Sequence, residues 1–292
     1  MMSSQTNDFK AFQSAIARIY RPNVERSNEG VVGAGFLISH QYVVTCAHVV
    51  TSALGLDLKT PETPTQSIDV DFPLIAPGEK LKAKVAFWQP VQSVAATPAK
   101  QGEDIAVLEL EGELPKQAQP ARIAQVEEED LWEHSFRMFG FPSGHDAGVW
   151  ATGVLSGKQA LGWVQIEDVK STGYQIEPGF SGAPVWDKNL ASIVGIAVAA
   201  ERKREGVKSA FMIPTKVLRG QIPESFLSLP DRPIPLPTVD ERYQPIIRAF
   251  TSGDIVPFLG AGINLCDRSQ GMPIELALRL AQVYNPSGQF LG

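Results

Sequence analysis

Three short segments hold residue types that together perform nucleophilic chemistry. Glu177-Pro178-Gly179-Phe180-Ser181-Gly182-Ala183-Pro184-Val185 sets a serine in a glycine-flanked loop, and Thr45-Cys46-Ala47-His48 sets a histidine at the end of a strand hairpin. Gly102-Glu103-Asp104-Ile105-Ala106-Val107-Leu108 sets a carboxylate just ahead of an apolar strand. A serine hydroxyl is a weak nucleophile near neutral pH and needs a base to take its proton as it attacks a carbonyl. His48 is suited to that part, and an imidazole needs a buried acceptor to fix its tautomer and stabilise the cation it becomes. Asp104 is suited to it, with Glu103 and Asp57 as alternatives. The tetrahedral intermediate then needs backbone N–H donors aimed at its oxyanion, and Gly179 permits a loop that turns its own N–H and that of Ser181 toward it. The chemistry these residues suit is acyl transfer through an acyl-enzyme.

The elements that must position them read as mainly β. From Gly30 to about Arg219 short apolar runs alternate with Gly, Pro, Asn and Asp, the pattern of many strands and few helices. Predicted strands cover Gly35 to Ser39, Tyr42 to Thr45, Ala83 to Trp88, Ile105 to Leu110, Phe136 to Gly140, Ile193 to Ala199 and Ser209 to Ile213. Ahead of them, Phe9, Phe12, Ile16 and Ile19 recur near the helical period and predict an amphipathic helix over Phe9 to Tyr20. The domain reading is a helix and lead-in over 1–29, a β domain over 30–220, a proline-rich linker over 221–245 and the start of an α/β segment over 246–292. Prolines at 223, 230, 233, 235, 237 and 245 mark the linker. The last segment, a strand, a glycine turn and a helix, cannot bury a core alone, so the chain reads as the front part of a longer protein.

Composition narrows the function classes. A formal net charge of -6, with basic residues scattered apart from Arg202-Lys203-Arg204, gives no electrostatic footprint for nucleic acid. No apolar run approaches the length that spans a bilayer, so no membrane is expected. The N-terminus lacks the apolar core of a secretory signal and only Cys46 and Cys266 occur, which fits a cytoplasmic protein without disulfides. Cys46 reads as packing, His40 as a turn residue, and His134 and His145 lack metal-ligand spacing, so no metal is expected. The five tryptophans are dispersed and read as core residues.

Residues 30–220 resemble the chymotrypsin-like serine proteases, in particular the bacterial HtrA-type and related trypsin-like domains. The resemblance rests on Thr45-Cys46-Ala47-His48, Asp104-Ile105-Ala106-Val107-Leu108 and Gly179-Phe180-Ser181-Gly182-Ala183-Pro184 in the family order, with Ile193-Val194-Gly195-Ile196 and Ala210-Phe211-Met212-Ile213-Pro214 resembling the walls of the specificity pocket. It implies two six-stranded antiparallel β-barrels with the active site between them, a Ser181-His48-Asp104 triad, a protein or peptide substrate, and no cofactor for this domain. By alignment of motifs Gln175, Ala199 and Ala200 would line the specificity pocket, which favours a small or neutral side chain before the scissile bond. Phe180 stands where secreted digestive enzymes place the aspartate that pairs with a freed N-terminus, so that kind of zymogen activation is not expected.

Asp254-Ile255-Val256-Pro257-Phe258-Leu259-Gly260-Ala261-Gly262-Ile263-Asn264 resembles the opening strand and glycine loop of sirtuin-like NAD-binding domains. There Gly260, Ala261, Gly262 and Asn264 would meet the cofactor, with NAD bound only by a complete domain. Similar fusions imply a regulated protease of a bacterial defence or signalling protein that works with other domains or subunits. The alternatives are a barrel that binds peptides without cleaving them, and a protease-like sensor that controls a sirtuin-like, NAD-consuming effector.

Overall fold

The computed structural model describes residues 2–23, 30–91, 103–159, 162–167, 176–200 and 209–227. The chain divides into two compact units, 1–234 and 235–292, and the second lies outside the described residues, with the glycine loop at Gly260, Ala261, Gly262 and Asn264.

The N-terminal helix α1 (Met2–Ala15) turns directly into strand β1 (Ile16–Tyr20). The sequence reading continues the helix to Tyr20, and here it is corrected. Phe9, Phe12, Ile16 and Ile19 do recur at helical spacing, but every residue of Ile16-Ala17-Arg18-Ile19-Tyr20 is buried, including those between the periodic positions. A segment buried on both faces with β-branched residues fits a strand closing a barrel better than a one-faced helix. The first barrel therefore opens at Ile16, ahead of residue 30.

Strand β1 is followed by β2 (Val31–Leu37), β3 (Tyr42–Thr45), helix α2 (Ala47–Leu54), β4 (Ile68–Phe72), β5 (Ala76–Gln89) and β6 (Ile105–Glu111). Antiparallel pairing in the order β1-β2-β3-β6-β5-β4, with β4 back on β1, closes the barrel. A connection over 112–134 then crosses to the second barrel. It is held to both, since Ala121 N–H donates to Leu37 O and Ala124 N–H donates to Ile193 O.

The second barrel contains β7 (Ser135–Gly140), β8 (Val149–Lys158), β9 (Val164–Glu167), β10 (Pro184–Asp187), β11 (Ser192–Ala200) and β12 (Ser209–Pro214), closed in the order β10-β11-β12-β9-β8-β7. Closure removes the unpaired edges that an open sheet would present. Helix α3 (Thr215–Gln221) follows, and Ile222 is buried while Phe226 packs edge-on against Tyr42. Residues 221–226 of the stretch read as linker thus lie on the barrels.

Helix α1 belongs to the chain of the first barrel yet packs on the second. Phe12 is fully buried, with ring centroids 4.8 Å from Trp186 and 6.2 Å from Trp150, and Phe9 lies 5.9 Å from both. These rings form an apolar clamp between the barrels. Trp132 departs from the core reading and is 61% exposed. It lies over Gly157, whose missing side chain gives the indole a seat without covering it.

Candidate active site

His48 occupies the first turn of α2, just past the end of β3, rather than the bare end of a hairpin. Cys46 precedes the helix in extended conformation, and the Cα of Gly55 in the left-handed region closes it. Opposite, Asp104 immediately precedes β6, the strand paired with β3. Its φ of 68° is left-handed, a region uncommon for residues other than glycine but accessible to Asp. That turn brings both carboxylate oxygens onto His48. Asp104 Oδ1 accepts the backbone N–H of His48 at 2.9 Å and Oδ2 meets the ring Nδ1 at 2.7 Å. The Asp104 side chain is buried while the imidazole is partly exposed. Asp57, the distant alternative, lies on the surface, where its carboxylate accepts the N–H of Lys59. Glu103 is buried beside Asp104, and the bonds to His48 come from Asp104.

The serine loop consists of two successive turns with glycine third in each. Phe180 N–H donates to Glu177 O at 3.1 Å, and Gly179 has φ 106°. Proline second and left-handed glycine third is the arrangement of a type II turn. Next, Ala183 N–H donates to Phe180 O at 2.9 Å, and Gly182 has φ 80°. Space demands glycine as strongly as backbone angle does. A Cβ on Gly179 would lie 2.2 Å from the Phe141 carbonyl oxygen, and one on Gly182 would lie 2.0 Å from that of Ala34.

One carbonyl holds the histidine segment and the serine loop together. Ala197 O on β11 accepts the N–H of Gly182 at 2.7 Å and the thiol of Cys46 at 3.3 Å. Ala34 N–H on β2 donates to Ser181 O at 2.9 Å, while the Ala34 carbonyl accepts the hydroxyl of Thr45 at 2.7 Å. Cys46 thus fills a linking place rather than one of packing alone. Its burial, and then the Asp104 carboxylate, push the thiol well above its ordinary range. The Ser181 hydroxyl donates to Val198 O at 3.2 Å.

Phe180 is buried with its ring against Gly140, where a Cβ would come within 2.4 Å of it. An apolar ring therefore anchors the loop at the place where the resemblance sets an aspartate. Phe141 N–H donates to Gly179 O at 2.9 Å. This contact of Gly140-Phe141-Pro142 with the serine loop was not read from the sequence, although a Gly-Phe-Pro stretch ending a strand was its visible signal.

Gln175 lies outside the described residues. Ala199 and Ala200 pair through β11 with Phe211 and Ala210 of β12. Among the described residues, two groups bring three metal-donor atoms within 4.8 Å of one another, Cys46/His48/Asp104 and Glu127/Glu128/Glu129. In the first the donors are engaged with each other and with Ala197 O, and in the second Lys216 and Lys158 approach the carboxylates. A second His–Asp pair, His134 Nδ1 to Asp187 Oδ2 at 2.7 Å, has a local task. The other Asp187 oxygen accepts the N–H groups of Asn189 and Leu190 and shapes the turn between β10 and β11. Among the described residues no helix is long and apolar enough to cross a membrane.

Comparison with known proteins agrees with this architecture. No curated protein matches the chain. Among solved structures, the HtrA-type protease AlgW with a decapeptide is 21% identical over 76% of this chain and 67% of its own, with a TM-score of 0.50. The serine endoprotease from Yersinia pestis is 17% identical over 76% of this chain and 66% of its own, also at 0.50. The Rv3671c protease from M. tuberculosis in its active form is 17% identical over 77% and 86%, at 0.49. At these identities the first two speak for the fold. The family model of the trypsin-like peptidase domain matches residues 33–196, more than half of the chain, from β2 to within β11. With that match laid over two closed six-stranded barrels, the chain belongs to the trypsin-like peptidase family and is a serine endopeptidase.

Proposed function

We propose that the chain hydrolyses peptide bonds through Ser181 as nucleophile, His48 as general base and then acid, and Asp104 as the carboxylate that orients the imidazole. The observation that carries this reading is the pair of bonds from one buried carboxylate to His48, at 2.9 Å to its N–H and 2.7 Å to Nδ1. With Nδ1–H held by Asp104, Nε2 is left as the acceptor for a proton. The Ser181 hydroxyl, which has one proton to give, turns from Val198 O toward Nε2. Its oxygen attacks the substrate carbonyl as the proton passes to His48. Collapse of the intermediate returns that proton to the leaving amine and leaves an acyl-enzyme, which water hydrolyses by the same steps. The N–H groups of Gly179 and Ser181 form the oxyanion hole. The left-handed Gly179 and the tie of its carbonyl to Phe141 support that role.

The alignment of motifs that assigns Gln175, Ala199 and Ala200 to the specificity pocket supports a preference for a small or uncharged side chain before the scissile bond. The same reading places the protease in the cytoplasm, as a regulated member of a bacterial defence or signalling protein whose other domains or subunits control it, with a sirtuin-like segment over 246–292. One observation favours a second reading, a peptide-binding module without turnover: the Ser181 hydroxyl rests on a carbonyl. Digestion of fluorescein-labelled casein separates the two. Cleavage by wild type that Ser181→Ala abolishes, with unfolding unchanged, supports the protease; equal cleavage by the variant contradicts it.

A further inference from the structure

A buried ion pair in the first barrel reaches into the second, at the loop that follows β7. On β1, Arg18 presents its guanidinium to Asp71 on β4 through two bonds, Nε to Oδ1 at 3.0 Å and a terminal nitrogen to Oδ2 at 2.6 Å. Asp71 also accepts the Tyr20 hydroxyl at 3.1 Å and Gly78 N–H at 2.7 Å, and its side chain is fully buried. Closing a barrel does not require such a network, because a buried ion pair is often replaceable by apolar residues at no loss of stability. What sets this one apart is its third arm. The remaining guanidinium nitrogen donates to the carbonyl of Asp146, in the β7–β8 loop of the other barrel, and the guanidinium carbon lies 5.6 Å from the Phe141 ring centroid.

Residue 141 opens that same loop and touches the serine turn directly. Phe141 N–H donates to Gly179 O at 2.9 Å, and its carbonyl lies where a Gly179 side chain would begin. We infer that Arg18 is a positioning residue for the oxyanion loop, holding residues 141–146 in the place from which Phe141 fixes the Gly179 peptide. A planar guanidinium can serve Asp71 with one edge, Asp146 with its remaining nitrogen and Phe141 with its face. It thereby spans the barrels without a freed N-terminus, at a site where Phe180 offers no carboxylate to receive one.

This inference rests on the triad reading, and two variants test it apart from that reading. Arg18→Lys keeps the charge facing Asp71 but lacks the fork and the plane. Arg18→Met with Asp71→Leu removes both charges and fills the space. The probe is a serine-directed fluorophosphonate, with the maximal inactivation rate and the half-saturating concentration measured separately, alongside thermal unfolding. Loss of a whole oxyanion donor slows such chemistry about 10²- to 10³-fold, so a displaced one is expected to slow the maximal rate at least tenfold in both variants. The half-saturating concentration and cooperative unfolding should be retained. Labelling of either folded variant at the wild-type rate overturns the inference alone. Loss of cooperative unfolding in both overturns it too, since the pair would then serve only the fold. Wild type that never labels Ser181 overturns the triad reading and this inference with it.

Discussion

Asp104→Asn tests orientation of the imidazole while leaving the shape of the site in place. Asn tolerates the left-handed φ of 68° at this position, and its amide oxygen can still accept the His48 N–H now held at 2.9 Å. The change falls on the other oxygen, 2.7 Å from Nδ1. An amide NH₂ placed there donates instead of accepting, so Nδ1 must become the acceptor and the ring proton moves to Nε2. That tautomer cannot take the proton of Ser181. Removing this carboxylate from a triad with geometry intact lowers turnover about 10⁴-fold, which corresponds to about 5.4 kcal/mol of transition-state stabilisation. The assay is turnover of an activated ester or fluorescent casein at pH 8, with the melting temperature followed in parallel. A variant that melts like wild type but retains more than a tenth of its activity would refute the argument that Asp104 sets the tautomer.

Other expectations follow from particular contacts. Gly179→Ala forces a side chain into the Phe141 carbonyl and into a φ of 106°, so the turn must rebuild; turnover should fall by about 10²-fold or more while circular dichroism is retained. Phe12→Ala empties a fully buried seat between Trp150 and Trp186 and should cost about 3–5 kcal/mol; that lowers the melting point by roughly 10 °C in a domain of this size, and an unchanged melting point would mean the clamp between barrels is not structural. Burial, and then the Asp71 carboxylate, push the Tyr20 phenol up. The folded state therefore holds this proton more tightly than the unfolded chain, and the contribution is full below about pH 10 and lost as pH rises toward the folded value. Denaturant midpoints measured from pH 8 to 11 should fall less steeply in Tyr20→Phe than in wild type.

The parts of the proposed site that are legible in the sequence are those whose chemistry is carried by residue type. Ser181, His48 and Asp104 stand in segments whose neighbours have a local reason to be there: glycines at the turn, Thr-Cys-Ala before the histidine, an apolar strand after the aspartate. Strands such as Tyr42–Thr45 and Ile105–Glu111 are legible because their apolar runs are short and bounded by turn residues. Legibility fails where tertiary pairing overrides local pattern. Ile16–Tyr20 carries a helical period but is buried on both faces and paired along both edges, with β2 and β4. Ile68–Phe72 alternates two aspartates with apolar residues, and one of those aspartates is the buried partner of Arg18. A charge paired across 53 residues leaves no local signal. Contacts made through the backbone, such as the Gly182 N–H on the Ala197 carbonyl and the Ala34 N–H on the Ser181 carbonyl, are equally silent, because any residue can supply an N–H or C=O.

The most direct test of the central claim is covalent capture of the nucleophile. Purified protein treated with a serine-directed fluorophosphonate, digested and mapped by mass spectrometry should carry the adduct on Ser181, and His48→Ala should lose it. An adduct on another serine, or one at Ser181 that forms equally fast without His48, would contradict the account.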